Sequence, residues 1–311
     1  MLAFFDADAV HAALPYARLA DRLEEFFREG VTAPLRHHHA VPRSGREDAA
    51  FLLMPAWRAD RETGVKLVHV CPGNEALGLP TVQAVYVLFD GPSGTPRAVL
   101  EGTSLTLRRT AAASALAARF LARRDAARMC MIGAGALAPH LVAAHLATRP
   151  IREVLIWNRT PSRGEALAAR LREQGIEARF VADREAAVRA ADIVSCATTS
   201  REPLVLGEWI SPGCHVDLVG AFRPDMRESD AALLARARVF VDTRAGALEE
   251  AGDIIQAIAA GAIQERDIAG DLYELCRGAV AGRIDPSEVT VFKSVGCAIE
   301  DLAAAGLVAG G

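Results

Sequence analysis

Apolar and polar positions along the chain change rhythm near residue 105. In residues 6–30, Leu14, Leu19, Leu23, Phe26 and Phe27 recur on one stripe of a helix, with Asp6 or Asp8 placed to cap it and Gly30 to end it. Pro15 is a point at which this helix divides in two. Extended segments follow at 31–41, 51–57, 64–70, 84–89 and 96–101, and Asp90-Gly91 supplies a hairpin turn between the last two. The first hundred residues therefore read as a helical region plus a mostly antiparallel sheet.

The pattern from residue 105 is different. An Ala-rich helix is predicted over 105–124, with Thr106 as a cap, and a strand over 126–132. Helices at 136–148, 161–174 and 184–190 then alternate with strands at 153–158, 178–181, 192–197, 215–219 and 239–241. Such alternation argues for a doubly wound parallel sheet with right-handed crossovers. A helical region is predicted over 245–277, interrupted by Gly252, Gly261 and Gly270, and a last helix over 294–305.

Composition fits two domains: 311 residues, half of them hydrophobic, with a net charge of −4. That charge gives no support for a nucleic-acid or membrane surface. The acidic start and the short, interrupted apolar stretches point to neither a signal peptide nor a membrane span, so the expectation is a cytoplasmic protein. The six scattered cysteines form no Cys-x-x-Cys and read as reduced core residues. His37-His38-His39 lacks carboxylates at ligand spacing, so no metal site is expected. Only two of the 35 basic residues are lysine, Lys66 and Lys293. A chain that uses arginine elsewhere keeps lysine where a compact ammonium that can lose its proton is wanted, which makes both site candidates.

The strand ending at Ile132 runs into Gly133-Ala134-Gly135-Ala136-Leu137-Ala138 and then a helix, the Gly-x-Gly-x-x-Ala arrangement of a dinucleotide site. Gly133 allows the tight turn, Gly135 lets a pyrophosphate approach, and the helix N-terminus offers free N–H groups. The end of the second strand, where a carboxylate would hold ribose hydroxyls, carries Asn158-Arg159-Thr160, with Arg163 a turn later. Two guanidiniums and a hydroxyl suit a 2′-phosphate, so NADP(H) is expected over NAD(H). Thr198 and Thr199 after the fourth strand, and Val219, Gly220 and Ala221 at the end of the fifth, are expected to line the nicotinamide side.

Together these motifs resemble the ornithine cyclodeaminase/mu-crystallin family. The matching stretches are residues 64–74 (GVKLVHVCPGN), 107–114 (LRRTAAAS), the Gly133 turn, 157–160 (WNRT), 219–228 (VGAFRPDMRE) and 291–301 (VFKSVGCAIED). The resemblance implies an α/β chain: a doubly wound Rossmann domain, 113–289, and an α+β substrate-binding and dimerisation domain, 1–112 plus 290–311. It also implies a homodimer joined through the first domain's sheets. By the same resemblance Arg43 and Arg109 hold a substrate carboxylate and Lys66 is the active-site lysine. Thr110 touches a cofactor phosphate, and Lys293, Ser294 and Gly296 lie in the segment that returns across the nicotinamide.

One position departs from the family's cyclodeaminase pattern. The aspartate that serves there as base directly after Gly-Ala is Phe222 in this chain. A phenyl ring binds no proton and can only wall a pocket, so ornithine cyclodeamination is not the expected activity. The expected activity is NADPH-dependent reduction of a small cyclic ketimine carboxylate. Candidates are Δ1-pyrroline-2-carboxylate to L-proline and Δ1-piperideine-2-carboxylate to L-pipecolate, with Phe222 against the apolar ring. Two alternatives stay open: cyclodeaminase or alanine dehydrogenase-like activity on a small amino acid, and a mu-crystallin-like NADPH-dependent ligand binder without catalysis.

Overall fold

The computed structural model describes residues 2–310. In chain order the elements are β1 (Ala3–Phe5), α1 (Ala7–Ala13), α2 (Tyr16–Glu29), β2 (His37–Val41), β3 (Ala49–Arg58), β4 (Glu62–Val70), β5 (Val82–Asp90), β6 (Pro96–Glu101) and α3 (Gly102–Leu121). There follow β7 (Arg128–Ile132), α4 (Ala138–Leu146), β8 (Glu153–Trp157), α5 (Pro161–Glu173), β9 (Ala178–Phe180), α6 (Arg184–Arg189), β10 (Ile193–Cys196) and β11 (His215–Leu218). The chain continues through α7 (Ala231–Arg236), β12 (Arg238–Val241), α8 (Arg244–Glu250), α9 (Gly252–Ala259), β13 (Ile268–Asp271), α10 (Leu272–Cys276), β14 (Thr290–Lys293) and α11 (Ala298–Gly310). Two compact units divide it: Met1–Thr110 with Cys297–Gly311, and Ala111–Gly296.

The first unit is a six-stranded sheet in the order β1-β6-β5-β4-β3-β2, antiparallel except for β1 beside β6. Alternation decides its faces: Gly64, Lys66 and Val68 of β4 are buried, while Val65 and Leu67 turn the other way. α11 packs against α2 and the buried face of β3, β4 and β5. Pro15 does separate α1 from α2, and Asp6 caps α1 by accepting from Ala9 N at 2.9 Å. Thr106 is not the cap of α3. The helix starts four residues earlier, where the Glu101 carboxylate accepts from Thr103 N at 2.8 Å and Ser104 N at 2.6 Å. β1 was not expected, because three residues are too few to show a period.

The second unit is a parallel sheet in the order β13-β12-β14-β11-β10-β7-β8-β9. Chain order reverses between β7 and β10, with β8 on one side of β7 and β10 on the other, which is the switch point where such sheets bind ligands. Three expectations are corrected in this unit. β13 lies inside the stretch read as helical; Gly270 allows it, since a Cβ there would come within 2.7 Å of Val280 Cγ2. β14 was not foreseen as a strand, and it fills the gap between β11 and β12 with four buried residues. Because β14 completes this sheet, residues 290–296 belong with the nucleotide unit, and the expected boundaries at 112 and 290 move to 110 and 297. The final helix begins at Ala298, not at 294, since Gly296 takes a left-handed φ of 79° just before it. No helix among the described residues is long and apolar enough to cross a membrane.

Candidate active site

Lys66 sits at the middle of β4, 1% exposed, opposite Tyr86 of β5. Its Nζ donates to Asp301 Oδ1 at 2.8 Å and to Thr106 Oγ1 at 3.3 Å. Arg109 on α3 is also buried; its Nη1 donates to Glu300 Oε2 at 2.7 Å, and its Nε lies 3.0 Å from Asp301 Oδ1. Two cations from the sheet and α3 thus meet two carboxylates from the first turn of α11. Burial and the Arg109 charge lower the Lys66 pKa to about 8, against the opposing pull of Asp301. Burial also works against the Arg109 charge, but Asp301 and Glu300 outweigh it, so this cation is held more firmly than usual. Asp301 Oδ2 and the Tyr86 hydroxyl are buried with no hydrogen-bond partner among the described residues. Sequence reasoning missed Glu300 and Asp301, since acids in the first turn of a helix are ordinary complements to its dipole.

Arg43 does not join this cluster through any hydrogen bond. Its guanidinium donates to the carbonyls of Glu47 and Pro72, the latter at 2.7 Å, and so ties the loop after β2 to the turn after β4. Arg36, just before β2, was not singled out; it is near enough to Lys66 to depress its proton affinity. The signal available for it was only its place among many arginines. Thr110 follows Arg109 on α3 and is half-buried.

In the second unit, Gly133 has φ 106°, and a Cβ there would stand 2.8 Å from Ala197 O. Only glycine fits both the conformation and the approach of β10. Gly135 is exposed, with nothing within 4 Å of where a Cβ would be. Asn158 Oδ1 accepts from Ala134 N at 3.0 Å and holds the turn in place. The N–H groups of Gly135, Ala136 and Leu137 meet no acceptor among the described residues, and α4 has no side-chain cap. Free N–H groups at an open turn leading into a helix fit a pyrophosphate.

At the end of β8, Asn158 Nδ2 donates to Thr160 O at 2.8 Å. Arg159, Thr160 and Arg163 are exposed, and the side chains of both arginines are free of ion pairs among the described residues. α5 lacks a side-chain cap as well. No carboxylate occupies the ribose position of the strand end, residues 158–160.

Beyond β10 and β11, Thr198, Val219, Gly220 and Ala221 are half-buried or buried, and Thr199 is exposed. Phe222 is 44% exposed. Asp225, the nearest acid along that loop, is engaged by Arg223 at 3.0 Å and Arg201 at 3.1 Å. Lys293, at the end of β14, is 0% exposed and has Asp253 Oδ2 at 3.5 Å. Its ammonium therefore has an internal counterion. Ser294 and Gly296 are buried beside it in sequence, and Gly296 N donates to Asp242 Oδ2 at 2.6 Å. No group of three His, Cys, Asp or Glu side chains able to hold a metal is found among the described residues.

A family model described as ornithine cyclodeaminase/mu-crystallin family matches residues 3–310. A Δ1-pyrroline-2-carboxylate reductase of Paracoccus denitrificans is 41% identical over 306 residues, covering 95% of this chain and 95% of its own. The solved structure of Thermococcus litoralis Δ1-pyrroline-2-carboxylate reductase, in complex with NADH and L-proline, superposes with a TM-score of 0.93 at 34% identity, over 100% of this chain and 97% of that one. An archaeal alanine dehydrogenase dimer with bound NAD gives a TM-score of 0.91 at 29% identity, over 99% and 95%.

Proposed function

The chain belongs to the ornithine cyclodeaminase/mu-crystallin family, and we propose that within it the protein is an NADPH-dependent reductase of small cyclic ketimine carboxylates. It is an oxidoreductase acting on C=N bonds, and Δ1-pyrroline-2-carboxylate is the favoured substrate, with Δ1-piperideine-2-carboxylate as the larger ring. The observation that carries this reading is the loop after β11. Phe222 stands where a cyclodeaminase needs a proton-binding aspartate, and Asp225, three residues on, is held by two arginines. The reductases of Paracoccus and Thermococcus named above support the same substrate class.

The charge balance of the first unit suits a monocarboxylate. Lys66 and Arg109 are offset by Glu300 and Asp301, and Arg36 adds a further positive charge. Arg109, with Arg43, is assigned to the substrate carboxylate, because a planar guanidinium can hold both oxygens. Lys66, charged at neutral pH yet close to releasing its proton, is assigned to the ring nitrogen, which gains a proton as C=N becomes CH–NH. Asp301 Oδ2 is a ready acceptor for that N–H. Phe222 is assigned to the apolar part of the ring. The dinucleotide, held by the Gly133 turn through Leu137, by Asn158, and by Thr198, Thr199 and residues 219–221, supplies the hydride.

NADP(H) is the proposed cofactor, on the strength of Arg159, Arg163 and Thr160 at the end of β8, although the two solved structures above hold NADH or NAD. We also infer a cytoplasmic homodimer. Ornithine supplied with oxidised cofactor should release no ammonia, whereas cyclic imine should consume NADPH. Ammonia release at a comparable rate would move the assignment to a cyclodeaminase.

A further inference from the structure

We propose that Glu228 is a positioning residue whose buried carboxylate fastens the loop after β10 to the loop after β11 and so shapes the nicotinamide half of the dinucleotide site. This rests on the dinucleotide reading above. Glu228 is fully buried in the stretch before α7. Its Oε1 accepts from Thr198 N at 2.6 Å and from Thr198 Oγ1 at 2.9 Å. Its Oε2 accepts from Gly220 N at 2.7 Å. One carboxylate thus bridges the two loops.

The junction admits no larger residue. A Cβ on Gly220 would lie 2.0 Å from Thr198 O and 2.5 Å from Glu228 Oε1. Glycine at 220 is therefore required by the close approach of the two loops and the carboxylate.

The backbone that carries this carboxylate is itself held from behind. Glu228 N, Ser229 N and Ser229 Oγ all donate to Asp253 Oδ1, at 2.8, 2.9 and 3.1 Å. Asp253 opens α9, and its Oδ2 faces Lys293 Nζ of β14 at 3.5 Å. Glu228 O accepts from Leu204 N and Val205 N, at 2.8 and 2.9 Å. Burial raises the Glu228 pKa to about 7, with Lys293 pulling it down and Asp253 pushing it up. A buried carboxylate is costly unless fully bonded. Three loop donors, a second carboxylate and a lysine spent on one junction point to a geometry worth holding.

β10 and β11 lie across the switch point from β8, so their loops serve the half of the dinucleotide away from the adenosine ribose. The test separates those halves. Glu228→Gln keeps the size but turns an N–H donor toward loop donors. Affinity is measured by titration for whichever of NADPH or NADH the wild type binds more tightly, and for its adenosine-side fragment, 2′,5′-ADP or ADP. Expected is a loss of about tenfold or more for the dinucleotide with the fragment unchanged. Asp253→Asn, which weakens the support without touching Thr198 or Gly220, should give a smaller loss with the same selectivity. If Glu228→Gln does not fold, Asp253→Asn decides alone. Unchanged dinucleotide affinity in the folded variant, or equal loss of dinucleotide and fragment, would overturn the proposal. Wild-type protein that binds neither dinucleotide would instead refute the reading on which it stands.

Discussion

Lys66 keeps a positive charge where burial opposes it, and this sets a pH dependence. Its folded pKa of about 8 lies below the ordinary lysine value, so the folded protein binds this proton less tightly than the unfolded chain. The contribution to stability is therefore unfavourable below about pH 8 and is relieved as pH rises toward the usual lysine range. For activity the sign is opposite, since the ammonium is the assigned proton donor. kcat/KM for imine reduction should fall as pH rises through about 8, and in Lys66→Arg, which stays charged, that limb should disappear from a slower enzyme. A limb of unchanged position in the arginine variant would assign it to another group. The rarity of lysine made both Lys66 and Lys293 legible in the sequence, and both are buried against an aspartate. Their partners were not legible. Asp301 is 235 residues from Lys66, and nothing local to α11 distinguishes it from an acid that serves a helix dipole.

At the level of elements, β7, the Gly133 turn and α4 were readable because local residues dictate them: an apolar run, a glycine that must take positive φ, and a helix after it. β13 and β14 were not. Each is four residues long and exists because neighbouring strands offer ladder partners, a tertiary cause with no period of its own. The proposed choice of NADP(H) rests on the start of α5. Its exposed Arg159 and Arg163 have no competing carboxylate, and each charge-assisted bond to a phosphate is worth about 1.5–3 kcal/mol. Arg159→Ala with Arg163→Ala should weaken NADPH binding by roughly 10²-fold or more and leave NADH binding nearly unchanged. Equal effects on both cofactors, measured by fluorescence titration, would remove the basis for NADP(H).

The whole molecule presents one feature that a single chain does not explain. The outer face of the first unit's sheet carries Phe4, 70% exposed, beside half-buried Val99, Val87 and Val65 in register across four strands, with Leu67 two positions along β4. An apolar sheet face of this kind marks an interaction surface, and a second copy of the chain is the proposed occupant. Light scattering should give a dimer, and Val87→Glu should give a folded monomer; a wild-type monomer would contradict the pairing. The sequence showed three of these strands, β1 excepted, but not which face would be left uncovered, because that depends on α11 taking the other.

The central claim is reduction of a cyclic ketimine carboxylate, and NADPH oxidation in the presence of Δ1-pyrroline-2-carboxylate tests it most directly, with Lys66→Met as the control. Expected is turnover to L-proline by the wild type and its loss, by about 10²-fold or more, in a variant that still binds NADPH. A wild-type protein that binds NADPH yet reduces neither this imine nor its six-membered homologue would contradict it.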